Sequence, residues 1–161
     1  MRLFRPQPRI SLASASEAGT LAGLYGTIWE PLQGHLDERL LADQSPATAE
    51  VAAWFRGGFE LYVARLEGEL AGVVRCSFPT GTCFLDRIGV VPALRRRGVG
   101  RALLDHAVSR ARRAGVAKIW LNLSPKLAEA VGLFRAAGFT ESGYLRAHYW
   151  GEDLVLMELR V

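Results

Sequence analysis

Lysine and cysteine occur only twice each in this 161-residue chain. Lys occurs only at Lys118 and Lys126, so a formal net charge of +4 is carried almost wholly by arginine. The two cysteines, Cys76 and Cys83, are too few and too poorly spaced for a metal cluster or a disulfide framework, and read as buried thiols of a reducing compartment. No apolar run approaches the roughly 20 residues of a membrane span, and Met1 to Ile10 lacks the apolar core of a signal peptide. A cytoplasmic protein without membrane attachment is the expectation. Internal repeats, low-complexity segments and linkers are also missing, which argues for one domain over residues 1–161. The mild excess of positive charge favours an anionic ligand but does not by itself imply nucleic acid. Its being arginine fits planar, bidentate recognition of phosphate.

What is present is a mixed order of strands and helices, with hydrophobic residues at 50% and charged residues at 22%, the balance of a globular chain. Arg9 to Leu12 reads as a first strand, and a helical pattern from Ser16, its candidate cap, puts Ala18, Leu21, Leu24 and Tyr25 on one face. Trp29 to Gln44 breaks any simple period and reads as a substrate wall with one short amphipathic piece. Ser45-Pro46 leads into a second helix ending near Gly57-Gly58. Leu61 to Arg65, Leu70 to Ser77 and Cys83 to Val91 form an antiparallel meander, turning at Glu67-Gly68 and Pro79-Thr80-Gly81. A helix over Gly98 to Ala114, a strand over Val116 to Leu123, a helix over Lys126 to Ala137, and strands over Thr140 to His148 and Asp153 to Val161 complete the chain.

One stretch is unusually informative: Val90-Val91-Pro92-Ala93-Leu94-Arg95-Arg96-Arg97-Gly98-Val99-Gly100-Arg101, after a strand and opening a helix. A helix N-terminus leaves its first amides unpaired and partially positive, so a tight turn there can cradle a diphosphate. Gly98 and Gly100 permit close approach, and the arginines add charge-assisted hydrogen bonds. The same residues also fit a solvated basic loop. A Walker loop is excluded because no Gly-Lys-Ser/Thr follows, and the dinucleotide fingerprint fails because Leu103 stands where its third small residue belongs.

The stretch resembles motif A of the GNAT superfamily, Val-x-Pro-x-x-Arg/Gln-x-x-Gly-x-Gly/Ala, matched at every fixed position. Leu133-Phe134-Arg135-Ala136-Ala137-Gly138-Phe139 resembles its motif B. The resemblance implies an α/β (α+β) GNAT fold, a mixed, mostly antiparallel sheet of about seven strands flanked by about four helices. It implies acetyl-CoA as cosubstrate, with no metal. The amides of Arg96, Arg97, Gly98, Val99, Gly100 and Arg101 would hold the pyrophosphate, helped by the side chains of Arg95, Arg96 and Arg97. Ile88 and Val90 would pair their backbone with pantetheine as an added strand would. The thioester would lie where the strand of Val90 splays from that of Ile119, with Phe134 on the far side. Paired domains, and so a homodimer, are a tendency of the family.

Acetyl transfer needs a neutral amine, an aligned attack and a proton for the departing thiolate. The ending Arg146 to Trp150 and Glu152 to Met157 is similar to that of ribosomal-protein alanine N-acetyltransferases, whose catalytic Glu and Tyr fall here on Asn122 and Phe134. Asp86 is the candidate base, since alternation puts it on one face with Phe84 and Ile88; pairing with a neighbouring Arg is the competing role. Tyr149 is the candidate acid, ahead of Tyr144 and His148, with simple packing as the alternative. Trp29, Glu30 and Asn122 are candidates for contacting a small-molecule or peptide amine; a core anchor, a solvated charge and a group satisfying splayed backbone are their plainer roles. Three readings follow in order: an N-acetyltransferase using direct attack in a ternary complex, an acyl-CoA-binding module with little turnover, and a nucleic-acid binder using Arg95 to Arg97.

Overall fold

A computed structural model describes residues 4–161. Seven strands form one sheet in the order β1-β2-β3-β4-β5-β7-β6. They are β1 (Arg9–Leu12), β2 (Glu60–Leu66), β3 (Glu69–Ser77), β4 (Cys83–Val90), β5 (Lys118–Leu123), β6 (Thr140–Tyr149) and β7 (Glu152–Arg160). The helices are α1 (Ala18–Trp29), α2 (Glu38–Gln44), α3 (Thr48–Arg56), α4 (Val99–Ala114) and α5 (Ala128–Ala136). The mixed, mostly antiparallel sheet agrees with expectation, and the helix beyond the anticipated four is α2. Its amphipathic piece buries Leu40 and Leu41 and is started by Asp37, whose side chain accepts from the Arg39 amide. Ser16 is not the cap of α1. It lies inside a short 3-10 turn, Ala15–Glu17, and Glu17 reaches back to the Ser14 amide at 2.8 Å.

Alternation along the strands builds two cores, one on each face of the sheet. Tyr62, Ala64 and Leu66 of β2 pack with Leu103, Leu104, Ala107 and Ala111 of α4. Leu61 and Val63 pack on the other face with Leu21, Tyr25 and Ile28 of α1 and Val51 of α3. Cys76 and Cys83 are free thiols buried in the first of these cores.

The break in alternation that shapes the site lies in β4. Arg75 opposes Asp86 while Val73 opposes Gly89, so Arg87 and Ile88 share the space opposite one residue of β3. Arg87 takes a left-handed backbone, φ 48, as a bulge requires. Before it Cys83 and Leu85 belong to the α4 core; after it Ile88 and Val90 pack against that same core. Asp86 therefore does not share a face with Ile88, as simple alternation predicts. It points with Arg75 toward α3, where the Arg75 guanidinium stacks on Trp54 at 4.4 Å and Phe59 at 4.2 Å.

The contact between α4 and the sheet is close at Gly72 of β3. A Cβ there would sit 2.7 Å from the carbonyl oxygen of Gly89 and 3.1 Å from Leu103 and Val99. Since backbone cannot yield as a side-chain tip can, Gly72→Ala is expected to destabilise the fold by about 1–3 kcal/mol, the usual cost of overpacking. Urea unfolding of the two proteins checks this, and an unchanged midpoint would contradict it.

Candidate active site

β4 and β5 run parallel but pair only at Cys83 with Ile119 and Phe84 with Trp120. Beyond this point they diverge, and a cavity of about 300 Å³ opens between them. Ile88, Leu121, Asn122 and Phe134 line it on the strand and α5 sides; Trp29, Asp43, Arg87 and Tyr149 close the side under α1 and α2. Phe134 is 2% exposed and meets Phe139 edge to face at 5.4 Å, so the far wall is rigid and apolar.

One edge of this opening is unpaired backbone. Val91 donates to Ala71 of β3 at 2.9 Å. Because strand groups alternate in direction, the N–H and C=O of Val90 and Ile88 then point to the side β5 has left. The edge runs into the turn before α4. Arg96 and Gly98 are both left-handed there, φ 58 and 82, which curls successive amides toward one point. The first helical amide to find a carbonyl is that of Ala102, on Gly98 at 3.0 Å. The amides of Arg96, Arg97, Gly98, Val99, Gly100 and Arg101 precede it without a backbone acceptor, the arrangement that holds an anion at a helix start. The Val99 side chain is buried in the α4 core, so that residue offers the turn its amide alone.

The arginine side chains differ from expectation. Arg95 turns inward, donating to Val90 O at 3.1 Å and Ile28 O at 3.3 Å, and so ties the turn to β4 and α1. Arg96 pairs with Glu129, Arg97 with Glu67, and Arg101 with Asp105. These three pairs are solvent-exposed, of a kind worth about 0–1 kcal/mol, and can be exchanged for a phosphate at little cost. The turn therefore presents amides first, with exposed, paired guanidinium groups around it.

At the other end of the cavity Asp86 uses both oxygens on Arg75, at 2.8 and 2.5 Å. Sequence pointed to Asp86 as a base and to Arg pairing as its competitor; the pairing is what the structure has. Tyr149 lines the cavity and donates to Asp43 Oδ2 at 2.8 Å. Partial burial, and then that hydrogen bond, push its phenol above the usual value. Arg87 donates to the Asp43 carbonyl at 2.7 Å, and its own carbonyl accepts from Tyr25 at 3.0 Å. Trp29 and Asn122 line the cavity, whereas Glu30 is exposed beside it and does not. Tyr144 is exposed and held by Asp153 at 2.7 Å, away from the cavity, and His148 is exposed too. Asp43, Arg75 and Arg87 went unnoticed in the sequence, since a single charge on a short helix or strand carries no local signal.

Residues 15–139 match the acetyltransferase (GNAT) family. The chain belongs to this family. Its GNAT relatives include the ribosomal protein bS18-alanine N-acetyltransferase of Escherichia coli, 36% identical over 48% of this chain and 55% of the relative. Another is the streptothricin acetyltransferase of Streptomyces lavendulae, 33% identical over 53% of this chain and 46% of the relative. The chain thus spans about half the length of the curated relatives it matches. In fold it is similar to a putative acetyltransferase of Salmonella typhimurium solved with its cofactor acetyl-CoA, at TM-score 0.75 and 21% identity over 95% of this chain and 93% of that one. No helix among the described residues is long and apolar enough to cross a membrane.

The Arg75 and Asp86 side chains are only 10% and 20% exposed. Breaking such a pair strands a charge in the cavity wall, so Asp86→Asn is expected to lower stability by about 3 kcal/mol, the low end for a buried pair because Asp86 retains some solvent. Denaturant unfolding at neutral pH measures it. A loss below about 1 kcal/mol would show the pair to behave as a surface one.

Proposed function

We propose that this GNAT protein is an acetyl-CoA-dependent N-acetyltransferase, passing the acetyl group to a primary amine of a small molecule or peptide by direct attack in a ternary complex. The observation that carries this reading is the line of backbone groups that no strand pairs, from Ile88 and Val90 on β4, where Arg95 holds the Val90 carbonyl, to the amide nest of Arg96 to Arg101, alongside the cavity. A pantetheine arm would complete β4 as an added strand, and a pyrophosphate would satisfy the nest. Phe134 would wall off the thioester, and an outward backbone amide near Val90 would meet the developing oxyanion. Trp29 and Asn122 would contact the acceptor, with Glu30 a solvated charge at its approach. Asp86 would hold Arg75 against Trp54 and Phe59 and shape the wall. The chain is read as one domain, acting in the cytoplasm, with no role for nucleic acid or membrane.

Thiol release from acetyl-CoA in the presence of a panel of primary amines tests the reading. Amine-dependent release is expected. Tight acetyl-CoA binding with no release from any amine would instead favour an acyl-CoA-binding module. Gly98→Ala places a Cβ on a left-handed residue at a cost of about 1–2 kcal/mol, which deforms the nest. It should raise the KM for acetyl-CoA about fivefold or more and leave kcat within about twofold. An unchanged KM would remove the nest from the binding site.

A further inference from the structure

Two carboxylates line the cavity, and they are differently placed for chemistry. Both oxygens of Asp86 are committed to Arg75. Asp43, at the end of α2, gathers its contacts on Oδ2, which accepts from Tyr149 at 2.8 Å, from Gln44 at 3.1 Å and weakly from Arg87 at 3.5 Å. Its Oδ1 has no hydrogen-bond partner among the described residues. Asp43, a residue of the cavity lining, thus keeps one carboxylate oxygen without a hydrogen-bond partner and holds a phenol with the other.

The phenol alone is a poor proton source for a departing thiolate. A thiol ordinarily titrates near about 8.5 and a tyrosine near about 10. Tyr149 is held above its ordinary value, by burial and by its bond to Asp43. Passing a proton from Tyr149 to sulfur is therefore uphill unless a stronger acid refills the phenolate at once. A protonated carboxyl group is such an acid, and the one touching Tyr149 belongs to Asp43.

Resting on the acetyl-transfer reading, we propose that Asp43 and Tyr149 form the proton relay of the reaction, Asp43 serving as base toward the amine and Tyr149 as acid toward the leaving sulfur. Asp43 takes the proton that the amine nitrogen sheds as the new C–N bond forms. Once neutral, Asp43 is a weaker acceptor, and Tyr149 can turn its hydrogen to the sulfur and release it as the C–S bond breaks. Asp43 then returns its proton to the phenolate oxygen. One proton has moved from amine to thiol, and both residues regain their starting states. Arg87 of β4 faces the pair, with Asp86 and Arg75 behind it on the same wall, so the carboxylate stays oriented throughout.

The test uses the full chain, acetyl-CoA and the amine of the panel with the fastest turnover. Asp43→Asn keeps the size of the side chain and an oxygen for Tyr149 but cannot take a proton. It should lower kcat about 100-fold, in the range set by loss of general acid or base catalysis, with KM for acetyl-CoA unchanged. The deficit should shrink at alkaline pH, where hydroxide can take the proton that the nitrogen sheds as the C–N bond forms. Tyr149→Phe should lower kcat about tenfold or more, and the double variant should be no slower than the worse single variant by more than about twofold, since the two act as one unit. A readout independent of turnover is the ultraviolet titration of Tyr149, taken as the difference from Tyr149→Phe, which should move toward the ordinary tyrosine value in Asp43→Asn. Turnover by the wild type with kcat and pH profile unaltered in Asp43→Asn overturns the relay alone. An unmoved Tyr149 titration also overturns it. Failure of the wild type to acetylate any amine overturns the transferase reading, and the relay with it.

Discussion

The site depends on one left-handed residue in the middle of a strand. Arg87 cannot adopt its backbone without cost, about 1–2 kcal/mol for a residue with a Cβ. Its neighbours offset that cost. Tyr25, wholly buried, donates to the Arg87 carbonyl, and such a bond contributes about 1 kcal/mol. The guanidinium lies 4.8 Å from the Trp54 ring centroid and bonds the Asp43 carbonyl, so the strained residue is held at its carbonyl and along its side chain. The bulge then exchanges which residues of β4 face which core, sending Asp86 toward α3 and Ile88 toward α4.

That exchange gives the cavity its two characters. On the α4 side, strand β4 leaves an edge that no strand pairs, which ends at the amide nest and is tied there by Arg95. Under α1 and α2, the wall holds two acid-base pairs, Arg75 with Asp86 and Arg87 with Asp43. Paired in this way the four charges nearly cancel, and a neutral amine can approach without strong repulsion or trapping. The helix α2 is tied to this wall through Asp43 alone among its charged residues, which couples the roof of the cavity to Tyr149 and Arg87.

Much of the frame was legible from local pattern. The seven strands, the turn at Glu67-Gly68 and the limits of α4 come from period and punctuation, because alternating and helical burial leave a direct trace in residue order. The stretch from Val90 to Arg101 was legible as a glycine-bearing strand-to-helix turn for the same reason: its amides, glycines and context are all contiguous. The misread features depend on which side chains the packed backbone brings together. Ser16 lost the capping role to a Glu17 that reaches back to Ser14, the expected pyrophosphate arginines were drawn to Val90, Ile28, Glu129 and Glu67, and the face of Asp86 was inverted by a bulge.

Residue order by itself determined the fold class and the family, since both rest on local periods, their order along the chain and two contiguous motifs. Tertiary structure alone decided which acidic group is free to act. Asp86 and Asp43 are equivalent as residue types, and neither has a local signature of reactivity. The register between β3 and β4 gives Asp86 to Arg75, and the packing of α2 beneath the β6–β7 hairpin brings Asp43 to Tyr149, 106 residues away in the chain. Proton chemistry depends on the distance between a few atoms, and those distances are set only when the separate elements are packed together.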